Sequence, residues 1–268
     1  MYREARPTGR WQLSNALPGL RSSCSVFRVQ PNSNAARRRQ LMRQAACVAG
    51  AGVASSALPV MAVGEVQHYP RSLLVDSHGR PWPARQLKPG EAFLFNYPYA
   101  LTPVFLIAFE HEVEAAELVT KDKRRYVTPA GVGPNKSIVA FSAICAHKLM
   151  YPKPAISFIG LRSGGRGEPA HVIHCCGDNS RYDPLHGARV IDGPAPQPLA
   201  AVMLEWEASS DRLHAVGTRG GEMFEAFFEK YATQLELEIG SGLRKPSGAT
   251  LVVQPAASYS RQWQSCRA

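Results

Sequence analysis

The chain has 268 residues, 45% hydrophobic and 9% aromatic, enough to bury the core of one generous domain or two small ones. Its net charge of +10 belongs to one end: residues 1–64 hold nine Arg and a single acid, Glu4, while the remaining 22 basic and 20 acidic residues leave only +2. A nearly neutral body excludes nucleic acid as the expected partner, because that requires a basic face on the folded part.

Residues 1–64 read as a leader. Arg37-Arg38-Arg39-Gln40-Leu41-Met42 precedes an Ala/Gly/Val-rich stretch from Ala45 to Val63. Arg38-Arg39-Gln40-Leu41-Met42 resembles a twin-arginine export signal, with two Arg, a polar spacer and two apolar residues. The alternative is a basic run before a small core helix, but Ala and Gly would make a poor one. The stretch is about 19 residues long, at the threshold for crossing a bilayer, and its weak hydrophobicity and Pro59 argue against a robust span. A cleaved leader and a retained anchor both stay open. The expected location is the periplasm or the periplasmic face of the inner membrane, with inner-membrane association as an option.

The body is expected as one domain over 65–250, followed by a tail over 251–268. Ala92 to Tyr97 and Val104 to Phe109 are short runs of aromatic and branched residues around Pro98 and Pro103, as in a hairpin-like pair of strands. Ser137 to Ile144 is another buried strand and delivers the chain to Cys145. Ile156 to Ile159 is a further strand, and a Gly/Arg-rich loop spans Ser163 to Gly167. His171 to His174 alternates into Cys175. Leu199 to Trp206 is expected to pair with Arg212 to Gly217 across the turn at Ser209 to Asp211. Glu222 to Leu235 is the one helix, with Met223, Phe227, Phe228 and Tyr231 on one side. The architecture predicted is all-β with a peripheral helix near the C-terminus.

Six cysteines in so long a chain are too few for a secreted disulfide scaffold. Those that lie among histidines point instead to metal. Two segments about thirty residues apart each follow a strand. The first reads Cys145-Ala146-His147-Lys148-Leu149-Met150. The second reads His174-Cys175-Cys176-Gly177-Asp178-Asn179-Ser180-Arg181-Tyr182-Asp183, and Gly193-Pro194-Ala195-Pro196 comes after it.

These segments resemble the Rieske family, in which a Cys-x-His box and a Cys-x-x-His box hold one [2Fe–2S] cluster, two thiolates on one iron and two imidazoles on the other. The likeness covers roughly 137–200, within antiparallel sheets and a small cluster-binding subdomain. Cys145 and His147 match the first box. Ser180, Tyr182 and Asp183 match the tail of the second, which sets Cys175 as its thiolate. The resemblance implies that the Ser180 and Tyr182 hydroxyls bond a bridging sulfide and a thiolate. It also implies that Gly193, Pro194, Ala195 and Pro196 form a loop shielding the cluster. The disulfide common in the family would join positions occupied here by Met150 and Gly177. The second imidazole position is Asp178. Either its carboxylate ligates iron, or His174, His171 or His186 reaches the iron instead, or the site is degenerate. Cys176 has no family role and reads as a free buried thiol, with substitute ligation or a vicinal redox pair as alternatives; Cys266 reads as incidental.

The function implied is electron transfer through a [2Fe–2S] cluster in a respiratory, quinol-oxidising type of complex, with quinol-oxidising or cytochrome-type redox proteins as partners. Two alternatives differ in class: a binding module of this fold with an altered metal site, and a zinc enzyme using Cys145, His147 and Cys175. An oxygenase is disfavoured, since nothing downstream resembles a large catalytic domain with a 2-His-1-carboxylate iron site.

Overall fold

The computed structural model describes residues 66–165, 167 and 169–266; the leader and its twin arginine lie outside them. In chain order the strands begin with β1 (Gln67–Val75), β2 (Ala92–Asn96), β3 (Pro103–Ala108), β4 (Glu117–Val119) and β5 (Arg125–Val127). They continue with β6 (Ile138–Ser142), β7 (Ile156–Ser157), β8 (Ile159–Ser163), β9 (His171–Cys175), β10 (Ser180–Asp183) and β11 (Arg189–Asp192). After β12 (Ala201–Glu207) and β13 (Arg212–Arg219) come the helix α1 (Phe224–Ile239), β14 (Thr250–Val252), β15 (Gln254–Pro255), the short α2 (Ala256–Tyr259) and β16 (Gln262–Trp263).

Eight strands form one sheet in the order β14-β1-β13-β12-β6-β3-β2-β15. Its pairs are antiparallel except β1 with β14. Only Val253 separates β14 from β15, so the two ends of this order meet through a single residue, whose N–H bonds Val75 O at 2.8 Å. The sheet therefore curls until its edges join, which removes the unpaired edges an open sheet would present. The expected hairpins are here: β2 with β3, and β12 with β13.

Strands β2, β3 and β6 are buried on both faces, which is why they read as unbroken apolar runs rather than as alternating ones. Phe93, Phe95, Val104, Leu106, Ala108, Ile138 and Ala140 share the barrel core with Leu74, Leu213 and Leu251. Their neighbours Leu94, Phe105, Ile107, Val139 and Phe141 point the other way, into a second core. That second core holds Cys145, Ile159, Ile173, Cys175 and Tyr182, so the barrel wall is the floor on which the cysteine loops stand. Each large side chain fully buried there contributes about 1.5–3 kcal/mol.

The small sheet on that floor has the order β11-β10-β9-β8, all antiparallel. Helix α1 packs outside the barrel through Phe224, Phe227, Phe228 and Leu235, against Ile144, Leu149 and Tyr151. It starts at Phe224 rather than Glu222, because the Glu222 carboxylate is engaged by the Tyr69 hydroxyl at 3.1 Å and by the Thr218 hydroxyl. Among the described residues, no helix is long and apolar enough to cross a membrane.

Candidate metal centre

Two loops meet above the barrel wall. The first leaves β6 and turns tightly at Cys145, whose N–H bonds Met150 O at 2.8 Å while its carbonyl accepts from Leu149 N at 3.0 Å. The second is the hairpin turn between β9 and β10. Cys175 O accepts from Asn179 N at 2.7 Å, with Asn179 in the left-handed region at φ 64°. Asp178 Oδ1 accepts from Ser180 N at 3.0 Å, an Asx turn that fixes the carboxylate.

The side chains converge. Cys145 Sγ, Cys175 Sγ and an Asp178 carboxylate oxygen all lie within 4.8 Å of one another. Asp178 Oδ2 is 3.2 Å from Cys145 Sγ and 3.1 Å from His147 Nδ1. The Asp178 side chain is 1% exposed, whereas that of His147 is 38% exposed. Tyr182, fully buried, sets its hydroxyl 3.3 Å from Cys145 Sγ and accepts from Ala146 N at 3.2 Å.

Electrostatics divide the two thiols. Cys145 is held below the usual thiol range, first by a hydrogen bond from Cys175, then by Tyr182 and the N–H groups of His147 and Lys148, against the opposing effect of burial. Cys175 is pushed up, first by that same hydrogen bond to Cys145, then by burial and by the neighbouring Asp178 charge. Burial would raise Asp178, but the Ser180 N–H and the two thiols hold it below the ordinary carboxylate range. Two thiols and a carboxylate gathered largely out of water, with Cys145 Sγ 3.2 Å from Asp178 Oδ2, form a donor set suited to a cation.

The other histidines raised as ligands serve elsewhere. His174 faces away from Cys175, in register with Arg181, and its Nε2 meets Asn179 Oδ1 at 2.7 Å. His186 Nδ1 lies 2.7 Å from Asp183 Oδ2. His171 packs on Phe109, ring centroids 5.9 Å apart. Asp183 itself caps a short 3-10 turn by accepting from Leu185 N and also pairs with Arg189.

The segment from Gly193 to Pro196 follows β11 and passes the second loop. Gly193, at φ 84°, passes so close to the second loop that a Cβ there would stand 2.6 Å from Ser180 Cα. Ala195 is half-buried against the second core, while Pro194 and Pro196 are exposed. Met150 and Gly177 touch: any side chain on Gly177 would run into Met150 Sδ. A thioether thus fills the space between the loops.

Cys176 is not a free thiol and Cys266 is not incidental. They form a disulfide, with Cα atoms 4.7 Å apart, and among the described residues the free cysteines are Cys145 and Cys175. Spacing could not pair them, since 90 residues intervene.

One buried group tests the fit to a two-iron cluster. The Ser180 hydroxyl is fully buried beside Cys175 and lacks a hydrogen bond of normal geometry, although Asp178 is near. Such an orphan is costly unless something fills its valence. Two thiols and a carboxylate beside this buried hydroxyl, with the His147 imidazole on the exposed side of Asp178, suit an iron–sulfur group: Cys145 and Cys175 would hold it through sulfur, His147 and Asp178 through nitrogen and oxygen.

No protein-family model matches the chain. A similar solved structure is the soluble domain of the Rieske protein II (soxF) from Sulfolobus acidocaldarius, with 26% sequence identity over 57% of this chain and 82% of that one. The TM-score is 0.41, too loose a superposition for residues to be assigned from it.

Proposed function

We propose that this protein is a one-electron carrier of the Rieske type, holding a [2Fe–2S] cluster on Cys145, His147, Cys175 and Asp178. The observation that carries this reading is the pair of buried hydroxyls: Tyr182 Oη at 3.3 Å from Cys145 Sγ, and Ser180 Oγ, buried beside Cys175 with no hydrogen bond of normal geometry. A structural metal would have no use for donors that stabilise added negative charge, whereas a centre that must accept an electron does. The cluster would supply a reversible one-electron couple. The chain's own residues would hold it, keep water from its buried side and leave the His147 edge open for exchange. Exported to the periplasm or held at its membrane face, such a carrier would pass electrons between quinol-oxidising and cytochrome-type partners.

A second reading has its own observation. Asp178 Oδ2 lies within 3.2 Å of both Cys145 Sγ and His147 Nδ1, and all three donors of the buried group lie within 4.8 Å. That spacing also suits a single tetrahedral ion such as zinc.

Metal analysis separates the two. Iron with equal acid-labile sulfide and a low-temperature EPR signal on reduction is the expected result. One metal per chain without sulfide gives the second reading, and no bound metal after anaerobic reconstitution defeats both. The D178H variant should then raise the potential, because an imidazole replaces an anionic ligand. An unchanged EPR spectrum and potential would show that Asp178 is not a ligand.

A further inference from the structure

The second ligand loop is held from a direction the cysteine boxes do not announce. Strand β16 runs parallel to β7, pairing Gln262 with Ile156 and Trp263 with Ser157. Arg261 N bonds Pro154 O at 2.9 Å and Gln264 N bonds Ser157 O at 2.8 Å. The Arg162 guanidinium bonds Gln264 O, and the Ser260 hydroxyl bonds Lys153 O at 2.7 Å. Trp263 packs so closely on β8 that a Cβ on Gly160 would come within 2.6 Å of its ring. Two residues past Gln264 the chain closes covalently on Cys176.

Cys176 sits directly after Cys175 and two residues before Asp178. Its N–H is bonded to Phe158 O at 2.7 Å, on the same stretch that β16 borders. The tail, the 153–163 segment and the turn carrying two of the four donors are therefore one tied unit. Between the loops themselves the contacts are all non-covalent: Met150 against Gly177, Lys148 Nζ to Gly177 O at 3.4 Å, and Asp178 Oδ2 with Cys145 Sγ and His147 Nδ1.

We propose that the segment Ser260 to Cys266 is a clamp on the metal centre: the Cys176–Cys266 disulfide, seated by Trp263 on Gly160, positions the Cys175–Asp178 turn so that its donors stay aimed at Cys145 and His147. Cys176, Trp263 and Cys266 are positioning residues in this arrangement and donate nothing to the metal. The proposal rests on the metal-centre reading for the role it serves, though not for its existence.

The test uses the full chain as wild type, C266S and W263A, first without metal. Hydrogen–deuterium exchange is followed in the peptides covering 171–183 and in those covering β2, β3 and β6. In C266S the amides of the Cys175–Ser180 turn should exchange at least about tenfold faster while the barrel strands keep their protection. W263A should move in the same direction by less. If C266S does not fold, the wild type treated with dithiothreitol gives the same readout. There two electrons and two protons pass to the cysteines, giving two thiols, as the reagent closes to its cyclic disulfide. Unchanged exchange at the turn, or a uniform rise across turn and barrel alike, would overturn the clamp. The second measurement is metal release to a chelator from reconstituted protein, expected about tenfold faster in C266S. Failure of reconstitution in the wild type would count against the metal centre alone, because the exchange result already decides the clamp.

Discussion

Replacing Tyr182 by Phe removes one oxygen and almost no volume, at a position with no exposure, so the change is confined to hydrogen bonding. Two contacts go: Cys145 Sγ at 3.3 Å and the N–H of buried Ala146 at 3.2 Å. Leaving that buried N–H unpaired costs about 1–3 kcal/mol. In a domain of about 200 residues each kcal/mol moves the midpoint by about 2–4 °C, so the thermal midpoint of metal-free Y182F should fall by roughly 2–12 °C. The second consequence concerns the loaded protein. A hydrogen bond to a charged group is worth about 1.5–3 kcal/mol, and 59 mV corresponds to a factor of ten for a one-electron couple. If the whole bond favoured the reduced state, the potential would fall by roughly 60–130 mV, which sets the upper limit. Film voltammetry gives the potential and circular dichroism the midpoint. An unchanged midpoint would refute the role of Tyr182 in holding the first loop. A potential that stayed put or rose would refute the hydroxyl as a stabiliser of added negative charge.

The contact between Met150 and Gly177 makes G177A an overpacking change, expected to cost about 1–3 kcal/mol by urea denaturation, and M150A should recover part of that loss in the double variant. Simple addition of the two single effects would mean that the contact is not made. Burial pushes the Glu222 carboxyl from its ordinary value of about 4.5 up to about 7, so the folded protein keeps a proton there that the unfolded chain has lost. Stability from this group is full below about pH 4.5 and is lost as pH rises through 7, a change of about 3 kcal/mol. In E222Q the urea midpoint should therefore fall less than in wild type between pH 5 and 8, and parallel profiles would contradict the assignment.

Much of the architecture was legible because it rests on local pattern. The apolar runs at Ala92 to Tyr97 and Val104 to Phe109 announced strands, and Ser209 to Asp211 announced the turn between β12 and β13, where Asp211 adopts φ 54°. The helix was visible from Phe227, Phe228 and Tyr231, but its first turn was misplaced because the burial of Glu222 is a tertiary event. At the centre, the approach of Cys145, Cys175 and Asp178 was readable only through the resemblance of the two boxes. The contact of His147 with Asp178 was readable in the same way, because the resemblance sets both positions on one iron. The disulfide and the strands within 250–263 were illegible: their partners are far away in sequence, and nothing in Thr250 to Trp263 is periodic enough to mark strands of two or three residues.

The joining of β14 to β15 through Val253 has a bearing on biosynthesis. Leu73 finds Thr250, Leu94 finds Gln254 and Ile156 finds Gln262, so the pairs made by the stretch after α1 tie back to β1 and β2 as well as to the flank of the cysteine loops. A nascent chain that has emerged only as far as α1 holds a sheet with two open rims, and such long-range pairings are slow to find. Closure of the barrel and support of the second loop thus arrive together, in one stretch synthesised after α1.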